Sequence, residues 1–237
     1  MPSYDIFSQF YDAIMGDRAA STERLRHFIR SVHPHAKTVL ELGCGTGSVL
    51  KNLAADYLVW GVDQSRNMLA LARKKVPQAA LFRQDMAKFR IGRKFDVICC
   101  VYDSINHLLS FSAWKKLFAN VSRHLETGGV FIFDINTQRK LDRHIAEPPW
   151  VHRFGGNFLI MTITRFGRKA SNWNIKVFEH ATGNRYLLHE ENIREASFPE
   201  RDIVTALRRH FRHIEIIDTD RRRPSSKSER LYFICKT

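Results

Sequence analysis

The sequence predicts an α/β fold: a doubly wound sheet of seven strands with an antiparallel β cap inserted late in the chain. Three observations carry this. Apolar strand-like runs alternate with helix-period stretches from about residue 38 to residue 134. Two of those runs, Phe95 to Val101 and Gly129 to Asp134, are continuously apolar, as strands covered on both faces are. After Asp134 the pattern changes to short β-like runs separated by turn signals.

Taken in order, residues 3 to 33 read as helical, with Phe7, Phe10, Tyr11 and Ile14 on one face, then Leu25, Phe28, Ile29 and Val32. Thr38 to Leu42 is a strand and Gly47 to Ala54 a helix. Tyr57 to Val62 is a strand, Asn67 to Lys75 a helix, and Ala80 to Arg83 a short strand. Trp114 to His124 is a helix between the two apolar strands. Phe158 to Phe166, Trp173 to His180 and Arg185 to Arg194 make the cap. A helix from Phe198 to about His210 follows, then strands His213 to Asp218 and Leu231 to Cys235. The expected organisation is a helical lid over residues 1–34, a sheet domain over 35–145 and 196–237, and the cap over 146–195.

The chain has 237 residues and a net charge of +14, from 38 Lys+Arg against 24 Asp+Glu. That field favours anionic partners, whether nucleic acid or an anionic small molecule. Residues Met1 to Asp5 show no signal peptide, and no apolar run is long enough to span a membrane. A cytoplasmic protein, with a homodimer open, is the expectation. Cys44, Cys99, Cys100 and Cys235 form no CxxC pair, and His33/His35 and His210/His213 lack companion ligands, so no metal site is expected.

The chemistry-bearing segment is Glu41-Leu42-Gly43-Cys44-Gly45-Thr46-Gly47, which leaves a buried strand and enters a helix. Glycines there let the backbone lie against a ligand with no Cβ in the way. About 20 residues on, Asp63 ends the next strand, where a carboxylate can accept from both hydroxyls of a ribose. After the third strand, the carboxylate in Gln84-Asp85-Met86 can accept from an adenine amino group while Met86 packs on the ring. A dinucleotide fingerprint would place its third glycine one position later, at Ser48.

With these markers in order, residues 35 to 136 resemble the class I S-adenosylmethionine-dependent methyltransferases, a Rossmann-like family. The resemblance implies that the glycine loop bounds the methionine part of that cofactor, Asp63 the ribose and Asp85-Met86 the adenine. It extends to Phe95-Asp96-Val97-Ile98 and to Leu125-Glu126-Thr127-Gly128-Gly129-Val130-Phe131. The segments Tyr102 to Leu108 and Phe133 to Thr137 are similar to a small-molecule branch that includes amino-sugar dimethyltransferases. The cofactor set implied is Tyr4, Tyr11, Glu41, Gly43, Cys44, Gly45, Asp63, Gln64, Met68, Asp85, Met86, Val101, Tyr102, Asp103 and His107. His107 is the candidate catalytic base, past the fourth strand; Asn136 and Arg194 are the candidate substrate contacts.

The function this implies is in-line methyl transfer to N or O of a small molecule. The alternative is an RNA methyltransferase using the basic segment Arg221-Arg222-Arg223. A cofactor-binding but non-catalytic partner and a dinucleotide dehydrogenase are the remaining readings.

Overall fold

The computed structural model describes residues 4–219 and 223–237; Met1 to Ser3 and the arginines Arg221 and Arg222 of the basic segment lie outside them. The two apolar faces read in residues 3 to 33 belong to two helices, α1 (Ser8–Met15) and α2 (Ala19–Val32). Gly16, at φ +71°, turns the backbone between them.

A seven-stranded sheet follows, with β1 (Thr38–Leu42), β2 (Leu58–Asp63), β3 (Ala80–Arg83), β4 (Phe95–Cys100), β5 (Leu125–Asn136), β10 (His213–Asp218) and β11 (Arg230–Lys236). Its order is β10-β11-β5-β4-β1-β2-β3. All neighbours from β3 to β5 are parallel, and β11 runs antiparallel to both β5 and β10. The helices α3 (Ser48–Leu53), α4 (Arg66–Lys75), α5 (Phe111–His124) and α7 (Glu200–Leu207) join the strands. Strand alternation splits the core into two layers. Leu40, Leu42, Ile98, Phe131 and Phe133 face α5, and Val39, Val97, Cys99 and Ile132 face α2 and α3. The chain runs from β1 to β2 and β3 on one side and then crosses to β4 on the other, and the crevice at the carboxyl ends of such a reversal is where these sheets bind ligands.

The cap is a four-stranded antiparallel sheet: β6 (Trp150–Phe154), β7 (Asn157–Phe166), β8 (Ala170–His180) and β9 (Tyr186–Ala196). Two elements went unread in the sequence. One is β6, joined to β7 by Gly155-Gly156. The other is α6 (Gln138–Ala146), whose N-cap Thr137 accepts from the Lys140 amide at 3.3 Å. Strand β5 extends beyond its expected span at both ends: β11 pairs with it as far as Asn136 at one end, and Phe95 of β4 pairs with Leu125 at the other. The inner face of the cap packs Leu159, Ile175, Val177 and Ile193 against Phe7 and Phe10 at the start of the chain. Among the described residues no helix is long and apolar enough to cross a membrane.

Candidate active site

The loop after β1 is built by its glycines. Gly43 sits at φ +72° and donates its amide to Val62 O at 2.8 Å, which hooks the loop to the end of β2. A Cβ on Gly43 would lie 2.8 Å from Ser104 Cβ. Gly45, at φ +53°, has nothing within 4 Å of its missing Cβ and faces open space. Its amide donates to Asp63 Oδ2 at 2.8 Å, and the Ser65 amide donates to Asp63 Oδ1 at 2.8 Å. Burial raises the Asp63 pKa, and those amides act against the rise.

Glu41 is 3% exposed and its Oε2 has no hydrogen-bond partner. Burial, then the nearby Asp63, pushes its carboxyl well above the usual range. A buried acceptor left unpaired is unfavourable unless a ligand completes it. Glu41, Gly43 and Gly45 line one cavity of about 210 Å³. An unpaired carboxylate beside an open glycine cradle fits a ligand with an ammonium group, such as the methionine part of S-adenosylmethionine.

Helix α1 closes this cavity. Lys75 Nζ holds Asp12 at 2.7 Å and donates to Thr46 Oγ1 at 3.0 Å and Ser48 Oγ at 2.8 Å. The same Thr46 hydroxyl donates to Asp12 at 2.6 Å. The amides of Asp5 and Phe7 donate to the two oxygens of Glu191 on β9, at 3.0 and 2.8 Å. The segment before α2 is therefore tied to the glycine loop on one side and to the cap on the other.

Of the expected cofactor residues, Tyr4, Tyr11, Glu41, Gly43, Cys44, Gly45, Asp63, Gln64, Met68, Met86, Val101, Tyr102 and His107 line this cavity. Asp85 does not line it; its carboxylate accepts from the Ala87 amide at 2.8 Å and caps its own turn. Gln84 lines the cavity instead. Asp103 also turns away, into an ion pair with Arg230. Unforeseen lining residues include Arg18, Ser48 and Val49. His107 lies in the 3₁₀ turn Ser104–His107. Its Nδ1 donates to Arg194 O at 3.1 Å, which leaves Nε2 to accept from the Tyr4 hydroxyl at 3.1 Å.

A second chamber of about 720 Å³ lies between α1, α6 and the cap sheet. Tyr4, Tyr11, Arg18 and Tyr102 line both cavities. The Arg18 guanidinium stacks 4.3 Å from the Tyr102 ring. His107 lines the first cavity and not the chamber, so the expected base stands behind Tyr4. Asn136 lines the chamber. Arg194 does not: it is exposed and lies 4.0 Å from the Phe166 ring. The pleat of β9 turns its neighbours Ile193 and Glu195 inward and Arg194 outward.

Glu195 belongs to a buried polar cluster at the inner end of the chamber. Asn136 Nδ2 donates to Glu195 Oε2 at 3.0 Å, and Asn136 Oδ1 accepts from Arg230 at 3.0 Å. Arg230 also pairs with Asp103 and, at 2.5 Å, with Asp134, which is fully buried. Burial opposes charge on Arg230, but Asp103 and Asp134 outweigh it and its pKa is raised. Burial lifts Asp134 to about 6. Burial, with Asp103 adding to it, lifts Glu195 to about 8. The sequence held no signal for this cluster, since Arg230 and Asp103 are 127 positions apart.

Strand order, the glycine loop and the acid that ends β2 together define the class I S-adenosylmethionine-dependent methyltransferase fold. Residues 39–129 match the family described as a methyltransferase domain. The chain carries that domain, with S-adenosylmethionine as its cofactor. It is 33% identical over 131 residues to a dTDP-3-amino-3,4,6-trideoxy-alpha-D-glucopyranose N,N-dimethyltransferase of Streptomyces venezuelae, an alignment covering 55% of each protein. The match thus spans about half the length of that relative. It is 27% identical over 248 residues, 99% of both chains, to a putative methyltransferase of Geobacillus sp. (strain WCH70). In structure it is similar to an S-adenosylmethionine-dependent methyltransferase from Clostridium acetobutylicum ATCC 824, with a TM-score of 0.82, 28% identity and 97% of each chain covered.

Proposed function

We propose that this protein methylates a nitrogen of a small-molecule amine that enters the chamber under the cap. The observation that carries the reading is the shared wall: Tyr4, Tyr11, Arg18 and Tyr102 face both the glycine-loop cavity and the chamber. Two ligands, one in each, therefore meet at those four side chains. When bound, the cofactor supplies a methyl group already activated on a sulfonium. The protein's tasks are then alignment, exclusion of water and handling of the acceptor's proton.

In this reading Glu41, Gly43, Gly45 and Asp63 hold the cofactor, residues 1–34 cover it, and residues 146–195 cover the substrate. Glu195, buried at the chamber end with its pKa lifted to about 8, suits an amine because its ionised form is basic enough to take a proton from an ammonium once the pH approaches that value. His107 orients Tyr4 through its Nε2 and does not itself reach the chamber. The relatives named as amino-sugar N,N-dimethyltransferases support nitrogen over oxygen as the acceptor. The RNA reading loses ground because the chamber is roofed by α1 and lined mostly by apolar side chains, which suits a small molecule. A cytoplasmic location and a homodimer remain part of the proposal.

Labelled S-adenosylmethionine with matched panels of amines and alcohols tests it. Label is expected in amines, with S-adenosylhomocysteine released in step. Transfer to alcohols or to bulk tRNA, with the amines unlabelled, would refute the reading.

A further inference from the structure

We propose that the substrate amine carries an apolar, uncharged body that fills the chamber, with its nitrogen seated at the Glu195 end. This rests on the small-molecule amine reading above and deepens it. The walls are made by Phe7, Leu159, Met161, Ile163, Trp173 and Ile175, with Leu159 fully buried. The apolar character continues to the rim, where Trp150 is 43% and Val151 62% exposed beside Pro148 and Pro149. Exposed apolar residues at the mouth of a cavity mark surface that a ligand covers.

Charge in the chamber argues the same way. The whole chain carries +14, yet the described lining residues hold three carboxylates (Asp103, Glu147 and Glu195) against three cations (Arg18, Lys140 and Arg230). The Arg230 fork is consumed by Asp103, Asp134 and Asn136. Arg18 is stacked on Tyr102 and donates to the Tyr11 hydroxyl at 3.4 Å. Lys140 remains, and burial and then Arg230 lower its pKa. A diphosphate recognised here would find no free guanidinium fork for a bidentate grip and only Lys140 as a point charge. An ammonium, by contrast, meets Glu195, which is 4% exposed and bonded on one oxygen to Asn136. The site therefore takes a lipophilic primary or secondary amine rather than a nucleotide-linked sugar.

Calorimetry on the full chain saturated with S-adenosylhomocysteine tests this, with hexylamine, octylamine, decylamine and thymidine diphosphate as probes. Affinity for the amines is expected to tighten about fourfold per added methylene, the fold-change of about 0.8 kcal/mol per buried CH₂. Thymidine diphosphate is expected to leave the amine isotherms unchanged. Glu195→Gln is expected to weaken the amines at least tenfold while alkanols of equal length bind as before. Amine affinity that is flat with chain length, displacement by thymidine diphosphate, or amine binding indifferent to Glu195→Gln overturns the inference. Failure of S-adenosylhomocysteine itself to bind would instead remove the methyltransferase reading on which it stands.

Discussion

Gly43→Ala tests the loop geometry most directly. Gly43 sits at φ +72°, and an added Cβ would lie 2.8 Å from Ser104 Cβ and 2.9 Å from Ser104 Oγ. Two terms follow. An alanine in the left-handed region costs about 1–2 kcal/mol, and forced overpacking about 1–3 kcal/mol. The expected loss of stability is therefore about 2–5 kcal/mol, or a fall in Tm of about 4–20 °C for a chain of this size. Ser104 begins the turn that carries His107, so the strain spreads towards the shared wall, and S-adenosylhomocysteine should bind at least tenfold more weakly. Removing Ser104's side chain leaves Met86 Cε as the next neighbour, at an ordinary 3.5 Å. Ser104→Gly forfeits its own bond to Val101 O at 2.8 Å, so that single variant must be measured too. In the complete double-mutant cycle, the coupling should recover the crowding term of about 1–3 kcal/mol and leave the φ term. Chemical denaturation supplies the numbers. A Gly43→Ala loss below about 1 kcal/mol, or a coupling of zero, would refute the close approach of loop and turn.

Three further outcomes are expected. Glu41→Gln should keep or raise the melting temperature, because it removes a buried, unpaired carboxylate. It should also weaken S-adenosylmethionine about 10- to 150-fold, the value of a charge-assisted hydrogen bond of about 1.5–3 kcal/mol; calorimetry showing unchanged affinity would separate Glu41 from the cofactor. Glu195, lifted to about 8, and Asp134, lifted to about 6, bind protons more tightly folded than unfolded. Their stabilisation is thus complete below about pH 4 and is lost as pH rises through those values. Denaturation midpoints should fall between about pH 4 and 8, by up to about 1.4 kcal/mol per pH unit for each proton, and Glu195→Gln should flatten the upper half of that slope. Lys75→Met removes one of the ties of α1 to the glycine loop and leaves the Thr46 hydroxyl on Asp12. It should cost no more than about 1 kcal/mol, since Asp12 is half exposed, while speeding S-adenosylhomocysteine release in stopped flow; an unchanged release rate would show that α1 is held by other means.

The glycine loop was legible because everything it needs is local: a strand, three glycines and a helix in one short segment, then Asp63 at the end of the neighbouring strand. Asp85 shows the limit of that locality. Its position matched expectation, but an amide two residues away claims its carboxylate. The cap illustrates a second limit. Three of its strands were visible as runs, yet which residues face inward depends on parity. Arg194 and Glu195 are adjacent, and the pairing of β9 with β8 places only Glu195 in the chamber. Helix α6 was hidden for a different reason. Its apolar face is short, Leu141 and Ile145 alone among polar residues with only Leu141 buried, and a Thr137 cap did not announce it.

Charge is arranged differently from what the net count suggested, and one register explains it. The excess of basic residues suggested an anionic partner, but a net count does not say where pairs form. Arg230 ends up between Asp103 and Asp134 because β11 pairs with β5 and places Arg230 opposite Asn136. That register neutralises the cation most suited to holding an anion, and it leaves Glu195 as the polar group at the inner end of an apolar chamber. His107, the one titratable side chain that its position in the chain singled out, is engaged on both ring nitrogens, by Tyr4 and by the Arg194 carbonyl. In the proposed reading, proton handling therefore falls to Glu195, brought in from the cap, rather than to the residue nearest the motif.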